Sequence, residues 1–389
     1  MTTTLENLRG RIGDVDAHEF MTTDRYPEVF GDVGKRFLEK NQAFWKVVDV
    51  VPEGHPHRIT TKNIKDDIEI TEETVWEKKG IWAPGHADMD RRVQVMDVMG
   101  VRRQLVFPGF GLLSMIQALG GGQALYPLAT PEERALGREG VKEHNKWAGK
   151  ITRKYPDRLR IVGMISSGDP DLTAESLAKR AEEVINLGVK AIQISAGEPP
   201  AGLSPADTKL DAFYDAFAQS GTVLTFHPPS GLGFRKTDVW DKAVRRDLAP
   251  TISFHQAMEN FCAVLLLGGV FERHPKLRVG FIETGSQWIG PLCERMELGL
   301  VAKPDLSHFS LTPREFMARN IRVSALLSEP VEYWLERYPY LEDVYCWSSD
   351  YPHIEGLPRS LQEAHKRVSR LGDNIVEKYF VRNSELIFD

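Results

Sequence analysis

Asp16 and His18 stand two residues apart in Asp14-Val15-Asp16-Ala17-His18, at the end of a β-rich run. Side chains two apart on a strand point to the same face, so this pair would present a carboxylate and an imidazole together. That combination suits zinc, iron or manganese, although a D-x-H pair can equally be structural. His227 closes a second run in Leu224-Thr225-Phe226-His227-Pro228-Pro229, and Asp350 ends a third in Trp347-Ser348-Ser349-Asp350-Tyr351-Pro352-His353. Each has a local alternative, since a histidine before prolines or an aspartate at a strand end can cap a turn. Position links them, because all three segments fall where strands end.

The elements that must carry these residues alternate along the chain. β-rich runs occur at residues 12–17, 103–107, 159–165, 189–194, 222–226, 277–282, 320–324 and 344–347, with amphipathic stretches between them. Eight such runs in βα alternation predict an α/β fold, a closed (β/α)8 TIM barrel. Barrel enzymes place their active sites at the C-terminal strand ends, where the three segments fall. Asp169 and Pro170 predict a helix start, Leu177, Ala181, Val184 and Ile185 its buried face, and Gly188 its end. The next helix buries Leu210, Phe213, Tyr214 and Phe217 before Gly221. Residues 1–389 read as one barrel domain. An aromatic-rich insertion at about 20–90, after the first strand, reads as a cap over the barrel mouth. The glycine-rich stretch 109–122 lacks a phosphate-loop pattern and reads as a mobile active-site loop.

Composition narrows the function classes. A formal net charge of -6 argues against nucleic acid as a partner. Three scattered cysteines, Cys262, Cys293 and Cys346, form no CxxC pair and point to a reducing cytoplasm rather than a disulfide framework. The polar N-terminus shows no signal-peptide core, and the longest apolar run, 261–271, is about half of the ~20 residues a membrane span needs.

With these segments in view, the chain resembles the amidohydrolase-related metal enzymes of the aminocarboxymuconate-semialdehyde decarboxylase type over nearly its whole length. The resemblance is carried by Asp14-Val15-Asp16-Ala17-His18, by 91–100 (RRVQVMDVMG) running into Val106-Phe107-Pro108, and by 269–277 (GVFERHPKL). Glu283-Thr284-Gly285-Ser286-Gln287-Trp288 and Ser349-Asp350-Tyr351-Pro352-His353 complete the series. It implies that Asp16, His18, His227 and Asp350 bind a divalent metal, with His353 in a second shell, and that the protein forms a homodimer or a related assembly.

Two departures bear on the chemistry. The decarboxylases usually begin with H-x-H or E-x-H, whereas this chain has Asp16-x-His18. The catalytic histidine that the resemblance places after strand six is replaced by Thr284, whose neighbour Glu283 is a carboxylate at the strand end. Glu283 is a candidate base and ligand, the alternative being an ion pair. His255, ahead of an apolar helical run, is a surface or cap residue unless it points inward. In that case Asp16, His18, His227, His255, Glu283 and Asp350 supply six donors. That is more than one open catalytic ion needs, and enough for two ions with Glu283 between them. His55, His57 and His86 read as exposed, His274 as structural, and Trp288 and Trp347 as core or interface. Arg102, Arg235 and Lys236 could neutralise a substrate carboxylate, or serve solubility.

Three functions are therefore expected in order. A dinuclear iron or manganese centre would activate oxygen and hydroxylate a small carboxylate-bearing organic substrate. This is similar to the amidohydrolase-like monooxygenases, among them the 2-aminoisobutyrate hydroxylase large component, and would require an electron-transfer protein. The alternative is a mononuclear zinc or manganese hydrolase or non-oxidative decarboxylase, with Glu283 or His255 moving the proton. The third is a non-catalytic subunit of a hetero-oligomer with a related barrel.

Overall fold

In a computed structural model of the chain, residues 3–41, 45, 51–121, 128–228, 249–303 and 309–389 are described, without the side chains of 249–254. Strand β1 (Ile12–His18) pairs with β2 (Val101–Phe107), and β2 with β3 (Leu159–Ile161). Only Val162 separates β3 from β4 (Gly163–Ile165), and its amide donates to Val106 O at 2.9 Å, so these two pieces make one barrel strand. The parallel ladder continues through β5 (Ala191–Ile194), β6 (Val223–Phe226), β7 (Val279–Phe281), β8 (Ile321–Ser324) and β9 (Tyr345–Cys346). The ring closes where Ala17 bridges Tyr351 in parallel and His18 N donates to Tyr351 O at 2.6 Å. This is the (β/α)8 barrel read from the eight runs.

Alternation along the strands divides the core into two layers. Val15, Leu105, Phe107, Met164, Ala191 and Val223 fill the barrel interior. Their neighbours Val106, Ile165, Ile192 and Leu224 pack outward against the helices. Both faces are dry, as a parallel sheet inside a shell of helices requires. Burying each Leu or Ile contributes ~1.5–3 kcal/mol. The interior is plugged from the N-terminal end by Ile387 and Phe388. Arg160 holds that plug through its Nη1 to Ile387 O at 2.5 Å, and Arg322 Nε donates to Asn383 O at 2.9 Å. Gly13 of β1 lies so close to the plug that an added Cβ would stand 2.4 Å from Ser384 Cβ.

The helices follow the expected faces with two corrections. Helix α1 (Tyr26–Lys40) belongs to the insertion, α2 (Met89–Met99) precedes β2, and α3 (Phe110–Ala118) and α4 (Pro131–Lys154) follow it. Helix α5 (Ala174–Asn186) buries Leu177, Ala181 and Val184 as predicted, but it starts at the Thr173 cap rather than at Asp169. Asp169 is instead buried against Arg138, whose Nε and Nη2 donate to it at 2.5 and 2.8 Å. Helix α6 (Asp211–Ser220) buries Phe213, Tyr214 and Phe217 and ends at left-handed Gly221, as predicted.

The glycine-rich stretch is the second correction. Its residues 110–118 form α3, in which eight residues are buried, and Glu19 accepts from Gly109 N at the start. Its glycine neighbours serve close packing: an added Cβ at Gly137 of α4 would lie 2.6 Å from Ala118 N. The insertion contributes Tyr26, Phe30, Phe37 and Trp45 to a third core against Phe110, with Phe30 and Phe110 stacked at 4.0 Å. Its later part is fastened to the segment after β9. Gly80 N donates to Pro352 O at 2.6 Å, Ile354 N to His57 Nε2 at 3.0 Å, Tyr351 Oη to Pro84 O, and Lys79 Nζ to Gly356 O. Among the described residues no helix is long and apolar enough to cross a membrane.

Candidate metal centre

β1, β6, β7 and the segment after β9 bring five of the six expected donors together at the C-terminal strand ends. His18 Nε2 lies 3.4 Å from Asp16 Oδ1 and 3.2 Å from Asp350 Oδ1. His227 Nε2 lies 3.5 Å from Asp16 Oδ1 and 2.9 Å from Glu283 Oε2. One donor atom each from Asp16, His18, His227 and Glu283 falls within a span of 4.8 Å, and the same holds for His18, Asp350 and His353. Asp16 and His18 share a face two residues apart, as β-strand geometry requires.

Glu283 and Asp350 reach this cluster from strained backbone. Their φ values are 55° and 51°, in the left-handed region that non-glycine residues rarely adopt. Such strain concentrates at functional sites, where surrounding structure over-determines it. Here Glu283 N donates to Ser324 Oγ at 2.8 Å and Asp350 N to Asp16 O at 2.9 Å. The loop after Glu283 is anchored by Glu329, which accepts from Ser286 N and Leu326 N.

The donor atoms are crowded, yet several are unsatisfied. Asp16 Oδ1, His18 Nε2 and Asp350 Oδ1 are buried without a hydrogen-bond partner among the described residues. His18 Nε2 lies within ion-pair range of both carboxylates. Buried polar atoms are rarely left this way. Orphaned atoms of ligand type gathered around His18 fit a divalent cation. Burial opposes an imidazolium at His18, but Asp16 and Asp350 push its pKa up to about 10. His227 is pushed up to about 9 against the same opposition, by Asp16 and Glu283. Burial and the charge of Asp350 raise Glu283 above the usual carboxylate range, with His227 pulling the other way. Negative charge is thus concentrated enough here to draw protons, as it would draw a metal ion.

Rings and hydrogen bonds orient the imidazoles. His227 Nδ1 lies 2.6 Å from Pro228 O, which leaves Nε2 for the cluster, and Phe107 stacks on its ring at 4.1 Å. His353 stacks on His18 at 3.7 Å, with its Nδ1 3.1 Å from Asp350 Oδ1. The sequence sets His353 behind the ligands, and its nitrogen stands as close to Asp350 as that of His18 does.

Other residues singled out in the sequence are not among these donors. His255, on α7 (Ala249–Leu267), is half-buried and is not among the clustered donors. Thr284 is fully buried and its hydroxyl finds no partner among the described residues. His86 is buried rather than exposed, its Nδ1 2.8 Å from Ala83 O, and His55 and His57 are half-buried. His274 sits between Asp211 and Asp215, a structural role as read. Arg102 is exposed on the first half of β2, away from the strand ends, and Arg235 and Lys236 lie outside the described residues. Sequence reasoning missed Asp14, fully buried two residues before Asp16, and Arg92, fully buried with its Nη2 2.6 Å from His18 O. Two charged residues at even spacing before His18 were the available signal for Asp14.

Residues 103–389 match the family described as Amidohydrolase. Among solved structures, the chain is similar to an amidohydrolase from Mycobacterium avium subsp. paratuberculosis, at 18% identity and a TM-score of 0.66, covering 97% of this chain and 99% of that one. It is similar to a 5-carboxyvanillate decarboxylase from Novosphingobium aromaticivorans with bound manganese, at 17% identity and a TM-score of 0.59, covering 97% of each chain. It is also similar to a manganese-bound dihydroxybenzoic acid decarboxylase from Polaromonas, at 14% identity and a TM-score of 0.58, covering 97% of this chain and 96% of that one.

Proposed function

Because the chain belongs to the amidohydrolase family, we propose that it is a metal-dependent enzyme that decarboxylates a small organic acid without oxidation. One observation carries this reading: Asp16, His18, His227, Glu283 and Asp350 converge at the strand ends, with orphaned donor atoms among them. Asp16, His18, His227 and Asp350 would hold a divalent ion, which supplies Lewis acidity toward the substrate's oxygens. Glu283 is the proton-transfer residue, in place of the histidine that Thr284 replaces. Burial and Asp350 raise its pKa, so that it can carry a proton and release it.

The proton balance follows. The bond from carbon to the departing carboxylate breaks, carbon dioxide leaves, and the electron pair stays on the substrate carbon. Glu283 gives its proton to that carbon and regains one from water. Phe107, stacked on His227, forms an apolar wall that keeps water from one side of the cluster. The manganese-bound decarboxylases among the structural relatives support this reading.

One observation favours a second reading, two ions and oxygen-dependent hydroxylation. His353 adds a further donor, so that His18, Asp350 and His353 form a group beside the first. The test is metal content per chain, followed by anaerobic assay of 5-carboxyvanillate, 2,6-dihydroxybenzoate and related hydroxybenzoates for carbon dioxide release. One ion and oxygen-independent release support decarboxylation. Two ions with turnover only in oxygen overturn it in favour of hydroxylation, and absence of bound metal overturns both.

A further inference from the structure

Arg92 on α2 is fully buried, yet no carboxylate pairs with it among the described residues. Its Nε donates to Gly85 O at 2.8 Å, its Nη1 to Gln104 Oε1 at 3.2 Å, and its Nη2 to His18 O at 2.6 Å and His86 O at 3.5 Å. The guanidinium also lies 4.9 Å from the centre of the Tyr351 ring. Gln104 passes the connection on, its Nε2 donating to Asp14 Oδ2 at 2.8 Å. Asp14, equally buried, accepts from Ser349 N at 2.8 Å and from Ser349 Oγ at 2.6 Å. A buried guanidinium and a buried carboxyl group are thus joined through one carboxamide. Burial of such groups is costly, and an apolar core would fill the space more stably.

The network reaches both halves of the candidate metal centre. Arg92 grips the main chain of His18 on β1, while Asp14 grips Ser349, the residue before Asp350. Backbone bonds transmit both grips, since His18 N donates to Tyr351 O at 2.6 Å and Asp350 N to Asp16 O at 2.9 Å. The planar guanidinium fork suits this task because its donors are fixed relative to one another.

We propose that Arg92, Gln104 and Asp14 are positioning residues that set the spacing between His18 and Asp350 in the metal centre. The inference rests on the metal-dependent reading above. Outer groups that orient ligands typically change metal affinity 10–100-fold when removed.

The experiment compares wild type, Gln104→Leu, Arg92→Met and Arg92→Lys with a control, Met96→Ala, which removes buried packing from the same helix but none of the hydrogen bonds of the network. Manganese dissociation constants, the electron paramagnetic resonance spectrum of bound Mn(II), and apo-protein Tm are measured for each. Gln104→Leu is the principal variant because Gln104 carries no charge and touches no expected ligand side chain. Its manganese affinity should fall roughly 10–100-fold with a changed spectrum. Arg92→Met should fall at least as far, with Arg92→Lys recovering part of the loss, while Met96→Ala lowers Tm and leaves affinity and spectrum at wild-type values. If Gln104→Leu and both Arg92 variants lower Tm but bind manganese like wild type, the network is only structural. If wild type itself binds no stoichiometric metal, the metal-dependent reading fails first, and that result is separable from the other.

Discussion

Gly13→Ala tests how closely β1 is fitted to the plug beneath it. The added Cβ would stand 2.0 Å from Ser384 Oγ, 2.4 Å from Ser384 Cβ and 3.3 Å from a Phe388 ring carbon. Relief requires Ser384 or β1 to move by roughly 1 Å if ordinary contact near 3.4 Å is to be restored. The Ser384 hydroxyl can rotate only by giving up its 2.6 Å bond to Val381 O, a loss of ~1 kcal/mol. Its Cβ cannot retreat freely, because Arg322 holds Asn383 O and Asn383 Nδ2 donates to Tyr345 O at 2.8 Å. Overpacking of this kind costs ~1–3 kcal/mol, so with the hydrogen bond the substitution should cost ~2–4 kcal/mol. At ~2.1 cal/mol/K of unfolding entropy per residue, a chain of this length loses about 1.2 °C of Tm per kcal/mol. The expected fall is therefore ~2–5 °C, read by calorimetry and by urea titration. Ser384→Gly removes both clashing atoms, and the double variant should recover more than ~1 kcal/mol of the Gly13→Ala loss. A Gly13→Ala protein within ~0.5 kcal/mol of wild type, or strictly additive effects, would refute the close-fit argument.

Other perturbations probe separate parts of the molecule. His144 is fully buried with Nε2 2.8 Å from Val162 O, and burial lowers its pKa to about 4. Because the folded value lies below the unfolded 6.5, its contribution is whole above pH 6.5 and is lost as pH falls toward 4, about 2 kcal/mol of it by pH 5. Urea titrations at pH 7.5 and 5 should show a smaller acid loss in His144→Gln than in wild type, and equal losses would count against it. His18→Ala and Asp350→Ala should each abolish metal binding, measured as metal per chain. Glu283→Gln should keep one ion but lose turnover if the centre is mononuclear, whereas lost occupancy would indicate that Glu283 bridges two. Removing metal with a chelator should lower Tm reversibly, since an ion held at 100 times its Kd adds ~2.7 kcal/mol. An unchanged Tm with full metal loss would contradict a site that binds only the folded state.

The barrel was legible because most strands are short, largely apolar runs buried on both faces, and no distant partner is needed to see that. Asp16, His18, His227 and Asp350 were visible for a related reason, since strand ends can be counted. Helix boundaries depended on more distant residues. Asp169 carries the local signature of a cap, but Arg134 and Arg138, more than thirty residues earlier, claim its carboxylate. The glycine-rich stretch 109–122 reads as a mobile loop, whereas Gly111 of α3, with Gly137 and Gly140 of α4, lets the two helices approach within the width of a missing side chain. Arg92 stands in the sequence only as part of the 91–100 segment that carries the resemblance, with no local sign of burial. Its burial follows from acceptors supplied by Gly85, Gln104 and His18, which come together only in the folded chain.

The bonds from Gly80, His57, Lys79 and Pro84 to the segment 351–356 make the insertion and the Asp350 loop one mechanical unit. Recombination between barrels of this kind should therefore respect a boundary that is not contiguous in the gene. A chimera exchanging residues 20–90 alone would set foreign acceptors against a native loop and disturb Asp350, whereas co-transfer of 349–356 would carry the joint intact. Variation in the two segments is expected to be inherited together, although some 260 positions lie between them.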